Sequence, residues 1–427
     1  MDWAQALQHE AQARVDRLVE LTAELVRIPS VSGSEQQVVK RVAEWGRSAG
    51  LDTRLITPHL EQLREHPAFT PPAGTDYEGR DDVVVTVGAP DGPSLALYAH
   101  LDVVPVDPNT EWSYDPWGGE VMDGRIYGRG SSDCKGGAAV AMVACEILRD
   151  LAPPMHGSLQ AQFVVEEEAG GNGTLAAIMA GVRADAMIQL EPTGTRSLIV
   201  SNRGAQFFRI RVPGVEAGVE YQHSLSSAID NAIVVVEAVR AYSLMREATI
   251  QHPLYSGLSG VETPMLGETI APLAVCRFMA GEWPSTVPGK AVLEGTIECM
   301  PGESLEAVVS DFEAYLARIA SQHPFLSAHP PVFERFGLML EPAAIPVDSP
   351  IVTAISRASA QVLGYQPSVI GGGGSDLRLP VLYANCPTVL YGPSGGMIHS
   401  VDEYVEVDQL LNCLRVILAT ACDWLVE

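Results

Sequence analysis

The sequence predicts an α/β protein, a mainly parallel sheet covered by helices, interrupted by an inserted α+β domain. Three observations lead there. Up to residue 203, short apolar runs such as "VVVTVG", "SLALYA", "LQAQFVV" and "DAMIQL" alternate with segments of helical period, and continuous apolar strands belong to sheets covered on both faces. From Gly204 the texture changes: "AQFFRIRVPG" alternates apolar and polar residues, as a half-exposed strand does. Near residue 339 the first texture returns. With 427 residues the chain can bury two cores. We therefore expect one domain over 1–203 and 339–427, with a second inserted at 204–338.

Residues 5–27 have helical period, and "IPSVSG" is a turn. Ser34 and Gln37 fit a capping box before a helix that stops at Gly50. "GGAAVAMVACEILRDL" and "GTLAAIMAG" are the next helices, each flanked by apolar strands. The insert reads as strand, the long helix "AIDNAIVVVEAVRAYSLMREA", the strands "IAPLAVCRFMAG" and "AVLEGTIECM", the helix "SLEAVVSDFEAYLARIASQ" and the strand "PVFERFGLML". Helix "SPIVTAISRASAQVLG", strand "TVLYG" and helix "VDQLLNCLRVILATACDWLV" complete the chain.

Lys and Arg total 27 against 53 Asp and Glu, a formal charge of -26. No basic field exists to bind phosphate, which argues against nucleic acid or an anionic membrane as partner. No stretch approaches the roughly 20 apolar residues of a membrane span. The N-terminal segment is amphipathic and charged, without an apolar core run. The seven cysteines are scattered, with no CxxC, and read as reduced thiols. A cytoplasmic protein is expected.

Ligands in α/β sheets gather beyond the carboxyl ends of the strands, and these ends share a chemistry. "SLALYA" leads into His100 and Asp102; "AQFVV" ends in Glu166, Glu167 and Glu168; "AMIQL" is followed by Glu191; "TVLYG" is followed by "PSGGMIHS" with His399. "GRGSSDCKGG" places Asp133 at a helix start, where its charge suits the dipole. On an extended chain residues two apart share a face. The Asp102 carboxylate is therefore expected to accept from one ring nitrogen of His100, leaving the other for a metal. A single catalytic zinc takes three protein ligands. Five ligands with one bridging carboxylate instead suit two metals and a shared water. Of the adjacent Glu167 and Glu168, one can ligate while the other serves as general base. Cys134 reads as a small buried packing residue. Four glycines, Gly371 to Gly374, let the backbone approach a ligand closely. Arg378 beyond them can grip a substrate carboxylate bidentately.

The segments "YAHLDVV", "GRIYGRGSSDCKGG", "VVEEEAGGNG", "LEPTG", "STVPGKAVLEG", "GGGGSDLR" and "GGMIHSVDEYVEV" give the chain a resemblance to the zinc-dependent exopeptidases and deacylases. That family includes acetylornithine deacetylase, succinyl-diaminopimelate desuccinylase, glutamate carboxypeptidase and aminoacylase. The resemblance implies a di-zinc catalytic domain and an inserted lid and dimerisation domain. It implies two zinc ions per chain, with cobalt or manganese as alternatives. His100, Asp133 and Glu191 would hold one; Asp133, Glu168 and His399 the other. Glu167 would be the general base and Asp102 the partner of His100. A lid histidine, matched here by His223, would reach a second subunit's site, with Asn231 as the family's downstream asparagine. Gly373 and Arg378 would meet substrate.

The lid departs from the family pattern. Ser285 stands where Asn is frequent, the following strand reads "TIECMPGE" without an Arg, and the spacing from His223 to Asn231 is slightly short. These positions bear on substrate identity. The expected activity is hydrolysis of an N-acyl amino acid or short peptide by a homodimer. The alternatives are a dipeptidase or carboxypeptidase, a pyrimidine-amide deformylase, and a catalytically silent metal-binding protein.

Overall fold

In the computed structural model, residues 2–89, 91–256 and 269–426 are described. They form two compact units: one from the described residues of 1–202 and 344–427, the other from those of 203–256 and 269–343. The return to the first unit falls at Ala344, beyond the expected 339, because the strand Val332–Leu340 runs on past that point.

The first unit is built on a mixed sheet in the order Asp52–Ile56, Asp82–Gly88, Ser158–Val164, Ser94–His100, Ala186–Gln189, Thr388–Leu390, Ser197–Asn202. Ser94–His100 pairs in parallel with the strands on both sides, and its seven-residue register with Ser158–Val164 brings His100 opposite Val164. Antiparallel pairing is found toward the Asp52–Ile56 edge. The helix Gly136–Leu151 is buried through nearly its whole length, as expected of a helix apolar on every side. It packs on Ser94–His100, Val15–Val26 and Val407–Leu425. Gly137 permits this approach: a Cβ there would lie 2.3 Å from the carbonyl oxygen of Leu190, the residue before Glu191.

Four short strands, Gly395–Gly396, Tyr404–Glu406, Arg125–Tyr127 and Glu120–Met122, form a separate antiparallel sheet. It joins the segment after Arg125, which leads to Asp133, to the segment that carries His399.

Several local expectations are corrected. Residues 5–27 are two helices, Trp3–Ala13 and Val15–Val26, separated at Arg14. The first packs mainly on Val407–Leu425 and the second mainly on Gly136–Leu151. The capping box fails: the helix is Gln36–Ser48 with Glu35 at its N-cap, and the Glu35 carboxylate is engaged by Arg80 instead. The strands Ser197–Asn202 and Ser368–Gly372 were not anticipated. The first mixes polar and apolar residues although all six are buried, and the second ends in two glycines.

The second unit is an antiparallel sheet in the order Leu273–Ala280, Lys290–Cys299, Gly204–Pro213, Val332–Leu340. Phe208, Ile210 and Val212 alternate with half-exposed or exposed residues, and they bury against Val235, Val239 and Tyr242 of Ala228–Thr249 and Phe312 of Leu305–Ser321. Among the described residues no helix is long and apolar enough to cross a membrane.

Candidate metal centre

His100 is the last residue of its strand and is fully buried. Its Nδ1 lies 2.9 Å from the main-chain oxygen of Asp102, while the Asp102 carboxylate stands 3.6 Å away. The expected carboxylate–imidazole bond is thus replaced by a carbonyl. The extended geometry that would put residues 100 and 102 on one face ends at His100. The carbonyl has the same effect on the ring, since Nδ1 is the donor and Nε2 is left as a ligand. The freed Asp102 carboxylate accepts from Ser32 Oγ at 2.7 Å and from the amides of Glu167 and Glu168 at 3.0 and 3.2 Å.

Asp133 lies in a kinked turn, Ser131–Lys135, with a non-helical backbone of φ -120° and ψ 92°. Its two carboxylate oxygens face different partners. Oδ1 is 2.9 Å from His100 Nε2, and Glu191 Oε2 is 3.7 Å from the same nitrogen. Oδ2 is 3.2 Å from His399 Nε2, which is also 3.0 Å from Glu168 Oε1. His399 sits at φ 60°, a left-handed conformation uncommon outside glycine. Its ring is about half exposed, at 48 %. The five expected ligands therefore gather as two sets that share Asp133.

The charges show what such a cluster requires. Burial works against the charged form of Asp133, but hydrogen bonds to His100 and His399 hold its carboxyl below the usual range. Hydrogen bonds to Asp133 and Glu168 raise His399 to about 10. Burial pushes Glu191 well up, with Asp133 adding to the rise. Among the described residues, Glu191 Oε1 is buried with no hydrogen-bond partner. A buried carboxylate group so placed calls for a cation. The mixed imidazole and carboxylate donors suit a divalent transition metal. Two overlapping sets of candidate ligand atoms, His100 with Asp133 and Glu168, and His100 with Cys134 and Glu191, each lie within 4.8 Å of one another.

Glu167 stands beside this cluster. Burial, Asp376 and Glu191 push its carboxyl well above the ordinary range. Its Oε1 accepts the amide N–H of Asp376 at 3.3 Å. Asp376 is buried too, and its carboxylate accepts from Tyr98 Oη at 2.8 Å and from Thr174 Oγ1. The sequence by itself assigns no role in the reaction to Asp376 or to Glu403, which accepts the amide of Asp133. Both lie inside motif segments already singled out, "GGGGSDLR" and "GGMIHSVDEYVEV". Glu166, first of the three glutamates, is turned away to Tyr77 Oη and to the amide of Ala73. Cys134 is fully buried, its Sγ accepting the main-chain N–H of His100 at 3.2 Å.

The substrate expectations fare differently. Arg378 is fully buried and donates to the carbonyl of Gly170 at 2.8 Å. This contact ties one end of its guanidinium to the turn after the glutamates. Gly371 and Gly372 belong to a strand, and half-buried Gly373 and exposed Gly374 form the bend after it. Asn231 is buried in the first turn of Ala228–Thr249. It donates to Pro213 O at 2.8 Å and accepts from Ser226 Oγ at 2.9 Å, so its side chain holds the local turn. His223 lies in an exposed loop of the second unit, with Gln222 Nε2 3.4 Å from its ring.

The chain is a metal-dependent hydrolase. Residues 96–423 match peptidase family M20/M25/M40, and the chain belongs to that family. It is 25% identical over 415 residues to a succinyl-diaminopimelate desuccinylase of Nitrobacter hamburgensis, covering 93% of this chain and 96% of that one. A protein of the same name from Rhodospirillum centenum is 29% identical, with 93% and 95% covered. Among solved structures, the dipeptidase Dug1p of Saccharomyces cerevisiae superposes with a TM-score of 0.75 at 15% identity, covering 98% of both chains. A Bacillus subtilis protein described as a dinuclear metal binding peptidase of the M20 family gives 0.63 at 18% identity, with 96% and 98% covered.

Proposed function

We propose that this chain hydrolyses the amide bond of an N-acyl amino acid, with Glu167 as general base beside two divalent metal ions, most simply zinc. The observation that carries the reading is the division of Asp133: each of its oxygens meets a separate histidine, with a glutamate at each histidine. His100, Asp133 and Glu191 would hold one ion, and Asp133, Glu168 and His399 the other. Such ions supply Lewis acidity toward the scissile carbonyl and acidify water.

The remaining chemistry belongs to the chain. Glu167 takes a proton from the attacking water and passes it to the leaving amine nitrogen, so that amide and water become carboxylate and amine. Asp102 and Asp376 hold the base from two sides through main-chain amides. The desuccinylase relatives, at 25% and 29% identity over most of both chains, support an acyl amino acid as substrate.

A homodimer is part of this reading. Among the described residues Leu273–Ala280 is an edge strand, carrying exposed Phe278 and Met279, and the neighbouring helix exposes Ile233 and Leu244. Such an edge suits pairing with a second copy. His223, exposed on the same unit, would then serve the other chain's reaction as a donor to the developing oxyanion.

The test is turnover by metal-loaded protein on N-succinyl-diaminopimelate, N-acetylornithine and a set of dipeptides. Release of amine from an acyl amino acid supports the proposal. Cleavage of dipeptides alone would replace it with a dipeptidase, and no turnover with two metals bound would leave a metal-binding protein.

A further inference from the structure

One segment of the chain carries a candidate ligand and, four residues on, the support of another. After His399 the chain reaches Glu403, whose side chain is fully buried. Glu403 Oε1 accepts the amides of Ser132 and Asp133 at 3.1 and 3.2 Å, and Oε2 accepts from Arg129 Nη1 at 2.5 Å. The main chain joins in: the amide of Gly128 donates to Glu403 O at 2.8 Å, and Tyr404–Glu406 pairs antiparallel with Arg125–Tyr127. The residues before Asp133 are thus clasped at both ends by the segment of His399.

Asp133 needs this clasp because its backbone is non-helical. Its amide lies ahead of the helix Gly136–Leu151, where no intrahelical carbonyl can accept it, and a buried amide without an acceptor is costly. Glu403 supplies the acceptor, and Arg129 supplies the countercharge that lets a carboxylate remain there. We infer that Glu403 is the positioning residue that sets where Asp133 presents its two oxygens, and that it thereby governs affinity for both metal ions together. This rests on the dinuclear reading above. On that reading His399 touches one ion alone, so the two residues of one segment have separable effects.

The experiment is a Zn(II) titration of the metal-free full-length protein against a chromophoric chelator, with Co(II) visible spectra as a readout of ligand geometry. Glu403→Gln keeps the size but loses the charge. It is expected to weaken both equivalents by about 10–100-fold, the usual effect of losing a partner that orients a ligand. It should also alter the Co(II) spectrum from the first equivalent onward. His399→Ala is expected to weaken one equivalent and spare the other. Two equivalents of wild-type affinity in Glu403→Gln, or a loss confined to one, would overturn the inference. A wild-type protein that takes up one equivalent would overturn the dinuclear reading and this inference with it. Should Glu403→Gln fail to fold, Glu403→Asp keeps the charge opposite Arg129 but draws it back by one methylene. Wild-type affinity in that variant overturns the inference equally.

Discussion

The Asp102 carboxylate lies 3.0 Å from the amide nitrogen of Glu167 through Oδ1 and 3.2 Å from that of Glu168 through Oδ2. One side chain thus fixes the turn that presents both the proposed base and a proposed ligand. Asp102→Ala would leave two amides without acceptors, each worth about 1–3 kcal/mol when buried. The variant is expected to melt earlier and to turn over more slowly, with Asp102→Asn intermediate in both. Unchanged thermal unfolding and kcat in Asp102→Ala would dismiss this role.

Glu167 and Glu168 are expected to separate cleanly. Glu167→Ala should keep its metal content and lose about 10²–10⁴-fold in kcat, whereas Glu168→Ala should lose metal first. Metal analysis after gel filtration, paired with kcat, distinguishes them. A Glu167→Ala enzyme of near-normal kcat would remove the residue from its role.

His399 ties metal uptake to pH. Its proton is held by Asp133 and Glu168, with a pKa raised to about 10 in the metal-free protein. The folded pKa exceeds the unfolded value of about 6.5. The charged ring therefore stabilises the metal-free fold fully below the unfolded value, and this contribution is lost as pH rises through about 10. A metal ion must displace the same proton, so affinity at that position should rise with pH and fall as pH is lowered. Calorimetry at pH 7 in buffers of different ionisation enthalpy should register about one proton released for the equivalent that uses His399. Release unaffected by His399→Ala would contradict this.

Arg378 is now expected to matter for folding more than for substrate. Arg378→Lys would disturb a fully buried guanidinium that donates to Gly170 O, and lysine cannot reproduce its planar fork. Thermal stability should drop while KM in the folded enzyme stays near wild type. A large rise in KM at unchanged stability would restore the substrate-binding role.

The shared site can be tested by mixing two inactive variants, His223→Ala and Glu167→Ala, under conditions that exchange subunits. Half of the dimers then pair one of each, and one site in each such dimer has both groups, so about a quarter of wild-type activity should return. No recovery after proven exchange, or full activity in a monomer, would reject action in trans.

What the sequence determined by itself was the chemistry and its order along the chain. Strand-ending His100, Glu167, Glu168 and Glu191 could be located because buried strands are apolar runs and a charge at the end of one stands out. The inserted antiparallel unit could be located because its strands change to an alternating period at Gly204. Only the tertiary structure decided the partners. Whether His100 meets a carboxylate or a carbonyl depends on where the extended chain ends, by a single residue. That Arg378 donates to the carbonyl of Gly170, about two hundred residues away, is equally a matter of packing. Glu403 supports Asp133 from 270 positions along the chain, and Asp376 reaches Glu167 across 209. Periodicity reports which face of an element is buried. It carries no record of which distant amide or carbonyl will arrive at that face, because that is settled by how the strands and helices pack.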